Sequence, residues 1–293
     1  MNIPKSITRL IVGLIIGFTA FFAILLGGIP LTIMVLIVVV LGSKEYTKIL
    51  ENKGFLPSFK IIITSSLLFA IIAYFNRLDL APIAFTISTF MAFMWVLFRG
   101  KQPYIANVAT TILGFVYCGW FPLHLLFLRD IGYDATVFNG FIKTNPSLEG
   151  AAYAILLLIS VILTDSCCYY AGLQFGKHKL AEVISPNKTI EGAIGGSVAC
   201  MIFCSAFGIM VFNLPWYHAL ILSILITAFA QIGDLCESMI KRDAGVKDSS
   251  DIIPGHGGFL DRTDSYILTI PVVYYYLEFF VKNNFLDLLK GLF

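Results

Sequence analysis

The chain has 293 residues, of which 58% are hydrophobic and only 13% charged, with a mean hydropathy of +0.86. Soluble domains carry about 25% charged residues, so this composition excludes an ordinary soluble domain and points to an integral membrane protein. The formal net charge of +2 excludes little, because in a membrane protein the placement of charge matters more than its sum.

Apolar runs long enough to cross a bilayer, about 20 residues or somewhat fewer, fall at 9–27, 30–43, 60–76, 79–98, 108–128, 149–172, 192–213, 216–235 and 263–281. They predict an all-α polytopic membrane protein of about nine transmembrane helices. The first run follows Lys5 and Arg9 and is long enough to span, so it reads as a first helix rather than a cleaved leader. The stretch 42–60 is amphipathic and is expected to lie at the cytoplasmic interface as a connector. The stretch 129–150 is an external loop of turn residues, and 236–262 is a charged, glycine-bearing cytoplasmic loop. With the N-terminus inside, fifteen Lys and Arg residues fall on the cytoplasmic side and five outside, which fixes the orientation. Charge is scarce in the first half. Residues 1–130 are therefore expected to be scaffold helices and 131–293 the catalytic region, within a single membrane domain. The six cysteines form no CxxC pair or zinc spacing and read as small apolar residues.

Polar residues concentrate from Thr164 onward. Asp165 lies inside the sixth apolar run, in "ILTDSCCYY". A carboxylate there costs about 2.5–3.5 kcal/mol even on a lenient insertion scale, so it should face the protein interior and have a partner. That partner is a metal ion or a basic side chain; the alternative is a protonated acid hydrogen-bonded to a neighbouring helix. In "AQIGDLCESMIKR", Asp234, Ser238 and Lys241 share one helical face. Glu237 and Lys241, at i and i+4, read as a surface ion pair.

"PGHGGFLDRTD" follows. Gly255, Gly257 and Gly258 allow tight turns and close approach of backbone N–H groups to an anion, with His256 among them. Asp261 and Asp264, at i and i+3, can point into one site, although plain helix capping also places acids there. All-oxygen ligands from Asp165, Asp234, Asp261 and Asp264 suit Mg²⁺ or Mn²⁺. Lys188, Lys241, Arg242, Lys247 and Arg262 supply positive charge for phosphates. Carboxylates, cations and glycine together are the inventory of phosphoryl or nucleotidyl transfer. No P-loop or dinucleotide fingerprint is present, so a soluble nucleotide-binding fold is not supported.

The segment "SMIKRDAGVKDSSDIIPGHGGFLDRTD" (238–264) resembles the signature of phosphatidate cytidylyltransferases, the CDP-diglyceride synthases. "SPNKTIEGAIGG" (185–196) and "TDSCCYYAGLQFGK" (164–177) resemble two further segments of that family. The resemblance implies transfer of CMP from CTP to phosphatidic acid, giving CDP-diacylglycerol and pyrophosphate. It implies Mg²⁺ as cofactor, with Mn²⁺ or an additional monovalent cation left open. CTP, phosphatidic acid and membrane lipids are the expected partners; a homodimer is implied and no nucleic acid is expected. The active site should face the cytoplasm from a bacterial-type inner membrane. Under this reading Asp261 and Asp264 are the principal metal ligands, with Asp234 and Asp165 completing the set. Lys188, Lys241, Arg242 and Arg262 bind phosphates, and Lys247 helps to fix the loop or contacts the nucleotide. His256 positions phosphate and need not act as a base, since the attacking phosphate is already ionised near neutral pH. The rivals are a CTP-using enzyme acting on another lipid, a cation-coupled transporter and a non-catalytic scaffold.

Overall fold

Lipid offers the backbone no hydrogen-bond partners, so an apolar chain must satisfy its amides within helices. The computed structural model does this on every predicted run. It describes residues 5–132, 148–250, 252 and 257–282, with side chains from residue 11 onward. Among the described residues the helices are α1 (Lys5–Leu26), α2 (Gly28–Asn52), α3 (Phe59–Tyr74), α4 (Leu78–Arg99), α5 (Tyr104–Arg129), α6 (Leu148–Phe175), α7 (Ile190–Phe212), α8 (Trp216–Asp243) and α9 (Leu260–Tyr276). A π-helical turn, Leu277–Lys282, continues α9. Six of these helices, α2 and α4 to α8, are long and apolar enough to cross a membrane. The chain is a multi-pass membrane protein.

One difference from the sequence reading matters for the site. α2 does not stop near residue 43 but runs on to Asn52, so 44–52 is helix and not an interfacial connector. The reason is a stripe at helical spacing. Gly42, Glu45, Tyr46 and Ile49 are all buried, at i, i+3, i+4 and i+7. α2 thereby carries a fully buried carboxylate, Glu45, towards α9, which packs on α8, α5, α2 and α6.

α6 and α7 lie unusually close. A Cβ on Gly192 would sit 2.7 Å from the Cys168 carbonyl oxygen, and one on Gly196 would sit 2.7 Å from that of Thr164. Only glycine permits this approach. The small-residue face of 192–197 is thus used within the chain. The two helices are joined by a short antiparallel hairpin, β1 (Lys179–Ala181) and β2 (Ser185–Thr189), which the sequence reading did not foresee. Its base is closed by Glu191, which accepts from the backbone N–H of Lys177 (3.0 Å) and His178 (3.2 Å). Thr189 caps α7 by accepting from Gly192 N–H at 3.2 Å. These contacts seat Lys188 beside the ends of α6 and α8. Cys118, Cys200 and Cys204 are buried and the other three cysteines half-buried, all as free thiols.

Candidate active site

The end of α8, the start of α9, the C-terminal part of α6 and the hairpin line a cavity of about 840 Å³. Asp165, Lys179, Lys188, Asp234, Lys241, Asp248, Asp261, Arg262 and Asp264 all line it. Sequence spacing alone thus located most of its charged wall. The structure divides these groups into two sets with different surroundings.

The first set is held mainly by protein partners, although Glu237 has only the Lys241 ion pair for its two buried oxygens. Lys241 forms ion pairs with Glu237, one turn earlier on α8, and with Asp261 Oδ1 at 2.6 Å. Glu237 was expected on the surface; it is fully buried, so this is an interior triad. A buried pair of this kind is strongly destabilised when one member is removed, because the other is left as an uncompensated charge. Asp261 accepts three further hydrogen bonds. Ser249 donates from its backbone (3.0 Å) and its hydroxyl (2.9 Å), and Gly258 N–H donates at 2.8 Å. Asp261, expected beside Asp264 as a principal ligand, has both oxygens engaged by the loop and by Lys241.

The glycines serve that arrangement. Gly257 adopts φ +77°, the left-handed region that favours glycine. A Cβ on Gly258 would lie 2.7 Å from Glu45 Oε2. The anion that the Gly258 N–H approaches is the Asp261 carboxylate itself. Gly255 and His256 lie outside the described residues.

Glu45 was missed by the sequence reading. It crosses from α2 to the same loop and has four donors within hydrogen-bond distance: Ser249 Oγ (3.1 Å), which it shares with Asp261, Ser250 Oγ (2.5 Å), Phe259 N–H (3.0 Å) and Leu260 N–H (2.8 Å). The last two are orphan donors at the start of α9, so this helix is capped by a carboxylate from another helix. A signal existed: Glu45 falls on the apolar stripe of α2, where a solvated charge does not belong.

The second set faces the cavity with few partners. Asp234 Oδ2 pairs with Lys188 at 2.6 Å, and its Oδ1 accepts from Ser238 Oγ at 3.4 Å. Asp264 Oδ1 accepts from the neighbouring Ser265 N–H at 2.7 Å. Asp165 Oδ1 has the Ser265 hydroxyl at 3.5 Å. The interior partner expected for Asp165 is therefore a polar cavity and a weak serine contact. The three carboxylates are near enough for each pair to repel.

Among the described residues, no three Asp, Glu, His or Cys side chains converge tightly enough to form a metal cluster. The donor chemistry still fits a hard cation. Asp165, Asp234 and Asp264 are all-oxygen groups lining one cavity, and their mutual repulsion favours a positive charge between them.

The expected phosphate binders also separate. Lys188 and Arg262 line the cavity, and Lys179 on the hairpin joins them. Lys247 is exposed on the connection after α8. Arg242 is turned to backbone: its Nε donates to Ile184 O (3.2 Å) on the hairpin and its Nη1 to Val246 O (3.1 Å).

Comparison with known sequences gives the family of the chain. The profile of the Cytidylyltransferase family matches residues 7–280. A phosphatidate cytidylyltransferase of Synechocystis is 34% identical over 294 residues, covering 94% of this chain and 99% of the relative. A chloroplastic phosphatidate cytidylyltransferase 5 of Arabidopsis thaliana is 35% identical over 92% of this chain and 71% of its own. The Bacillus subtilis phosphatidate cytidylyltransferase is 39% identical over 150 residues, half of this chain and 56% of its own.

Proposed function

We propose, since the chain belongs to the cytidylyltransferase family, that it is a CTP:phosphatidate cytidylyltransferase. It transfers CMP from CTP to phosphatidic acid and releases pyrophosphate. The observation that carries this reading is the single cavity in which Asp165, Asp234 and Asp264 face Lys179, Lys188 and Arg262 at the end of membrane-length helices. Such a cavity can receive a nucleotide from water and a phosphate headgroup from lipid.

Both substrates are anions, so their phosphates repel before they react. Lys179, Lys188 and Arg262 lower that repulsion and orient the phosphates. A phosphatidate oxygen then forms a bond to the α-phosphorus of CTP, and the bond from that phosphorus to the bridging oxygen of pyrophosphate breaks. No proton must be removed from the attacking group, so the chain needs no general base. Asp165, Asp234 and Asp264 would hold Mg²⁺, which supplies charge neutralisation at the phosphates when bound. Asp261, Lys241 and Arg242 serve as the frame that holds this wall in place. The site faces the cytoplasm, where CTP is found, in keeping with the excess of Lys and Arg on that side. The homodimer that the resemblance implies needs a surface other than the 192–197 glycine face, which is spent against α6.

The test is an assay of the purified protein with radiolabelled CTP and phosphatidic acid, with and without Mg²⁺. CDP-diacylglycerol and pyrophosphate should form in equal amounts and only with the divalent ion. Absence of product across varied lipid and detergent conditions overturns the reading. Undiminished turnover in chelator removes the metal from it.

A further inference from the structure

The carboxylate with the most partners at this site comes from the N-terminal half of the chain. Glu45 is 2% exposed and stands on α2, whose other buried residues are mostly apolar. Its two oxygens accept two backbone N–H groups at the start of α9 and two serine hydroxyls of the connection before it. The Ser249 hydroxyl lies 3.1 Å from Glu45 and 2.9 Å from Asp261. Its single proton can serve only one of the two acids at a time. Ser249 thus stands between Glu45 and Asp261, its hydroxyl bonded to one of them at a time, and Asp261 pairs in turn with Lys241, which pairs with Glu237. Burying so charged a chain is costly unless every group is held, and Glu45 holds the end farthest from α8.

We propose that Glu45 is a positioning residue for the transfer reaction. It fixes the height and rotation of α9, and so sets where Arg262 and Asp264 stand relative to Asp234 and Lys188 in the cavity. Two observations make this more than ordinary stabilisation. Glu45 takes the N–H groups of Phe259 and Leu260, so it holds the first turn of α9, and Asp264 follows one turn later on the same helix. α9 also meets α8 at Gly233, where an added Cβ would lie 2.5 Å from the Asp264 carbonyl oxygen. α9 is thus held at both Glu45 and Gly233, and release at Glu45 leaves its first turn free to shift. A displacement of about 1 Å in a reacting group can cost ~10²-fold in rate.

The inference rests on the transfer reaction proposed above, and the experiment separates the two. The full chain is purified as wild type, Glu45→Ala, Glu45→Gln and Ser250→Ala, and kcat and KM for CTP are measured on the monodisperse fraction. Glu45→Ala should lose about 10²-fold in kcat, with KM for CTP little changed, because Glu45 touches no substrate. Glu45→Gln keeps the shape but turns one acceptor into a donor facing an N–H or a hydroxyl, so its kcat should fall between wild type and Glu45→Ala. Ser250→Ala removes one of the four contacts and neither backbone contact, so it should lose about fivefold or less, the scale of one net hydrogen bond. A kcat within twofold of wild type in folded Glu45→Ala overturns the inference. If that variant does not fold, an unchanged kcat in Glu45→Gln overturns it instead. A rise in KM for CTP without a fall in kcat also overturns it, by assigning Glu45 to binding. Inactive wild type would instead count against the proposed reaction.

Discussion

Asp261 and Asp264 stand one turn apart on the same helix and live in different chemical worlds. Asp261 belongs to a frame, with Lys241, Ser249 and Gly258 all directed at its oxygens. Asp264 belongs to a cavity wall, with one neighbouring amide on its Oδ1 and the carboxylates of Asp165 and Asp234 nearby. The difference teaches how a membrane protein can keep several acids together. One set is held by Lys241 and by hydrogen-bond donors within the fold and gives rigidity. The other keeps three carboxylates close together, which favours a cation between them, while Lys179, Lys188 and Arg262 in the same cavity suit a polyphosphate.

The largest effect should come from breaking the frame. Lys241→Met leaves Glu237 and Asp261 buried without their cation, which should cost about 3–5 kcal/mol of stability. Thermal unfolding in detergent reads this directly, and Glu237→Gln added to Lys241→Met should recover part of the loss. A melting midpoint equal to wild type in Lys241→Met would remove the triad from the frame. Next comes the wall. Asp264→Asn should lower kcat about 10²–10³-fold, the scale of one preorganised electrostatic group. Its melting midpoint should hold or rise, since one of three mutually repelling charges is gone. A variant that melts early but turns over normally would exchange the roles of Asp261 and Asp264.

Hydropathy alone made the helices legible, because lipid leaves an apolar run few other ways to satisfy its backbone. All nine predicted runs lie on helices. The charged wall was legible for a related reason: Asp165 and Asp234 stand out against an apolar background, and Asp264 shares a helical face with Asp261. What spacing could not show is which acid is satisfied. Asp261 and Asp264 differ through Ser249, Gly258 and Lys241, whose directions depend on how the loop folds back. Glu45 was hidden because 44–52 carries enough charge to pass for an interfacial connector. Only the continuity of α2 turns its stripe inward. The hairpin was hidden too. Its strands are three and five residues long, below what alternation can reveal.

Arg242 gives the smallest and sharpest test of the division into frame and wall. The signature places it next to Lys241, and charge alone would put both on a phosphate. Its geometry instead ties the hairpin to the end of α8 through two carbonyl oxygens. Both contacts are solvent-exposed, so their joint loss in Arg242→Ala should cost only about 1 kcal/mol. The effect on catalysis should be indirect, through the seat of Lys188 on β2, and should raise KM for CTP no more than about fivefold on that energy scale. Arg242→Gln separates the two roles more cleanly, because it keeps an N–H donor and removes the charge. If Arg242 belongs to the frame, Gln should behave nearly as wild type, and the salt dependence of KM should not change. If it belongs to the wall, Gln should be as poor as Ala, and KM should lose part of its rise with ionic strength, since a charge pairing with CTP is what salt screens.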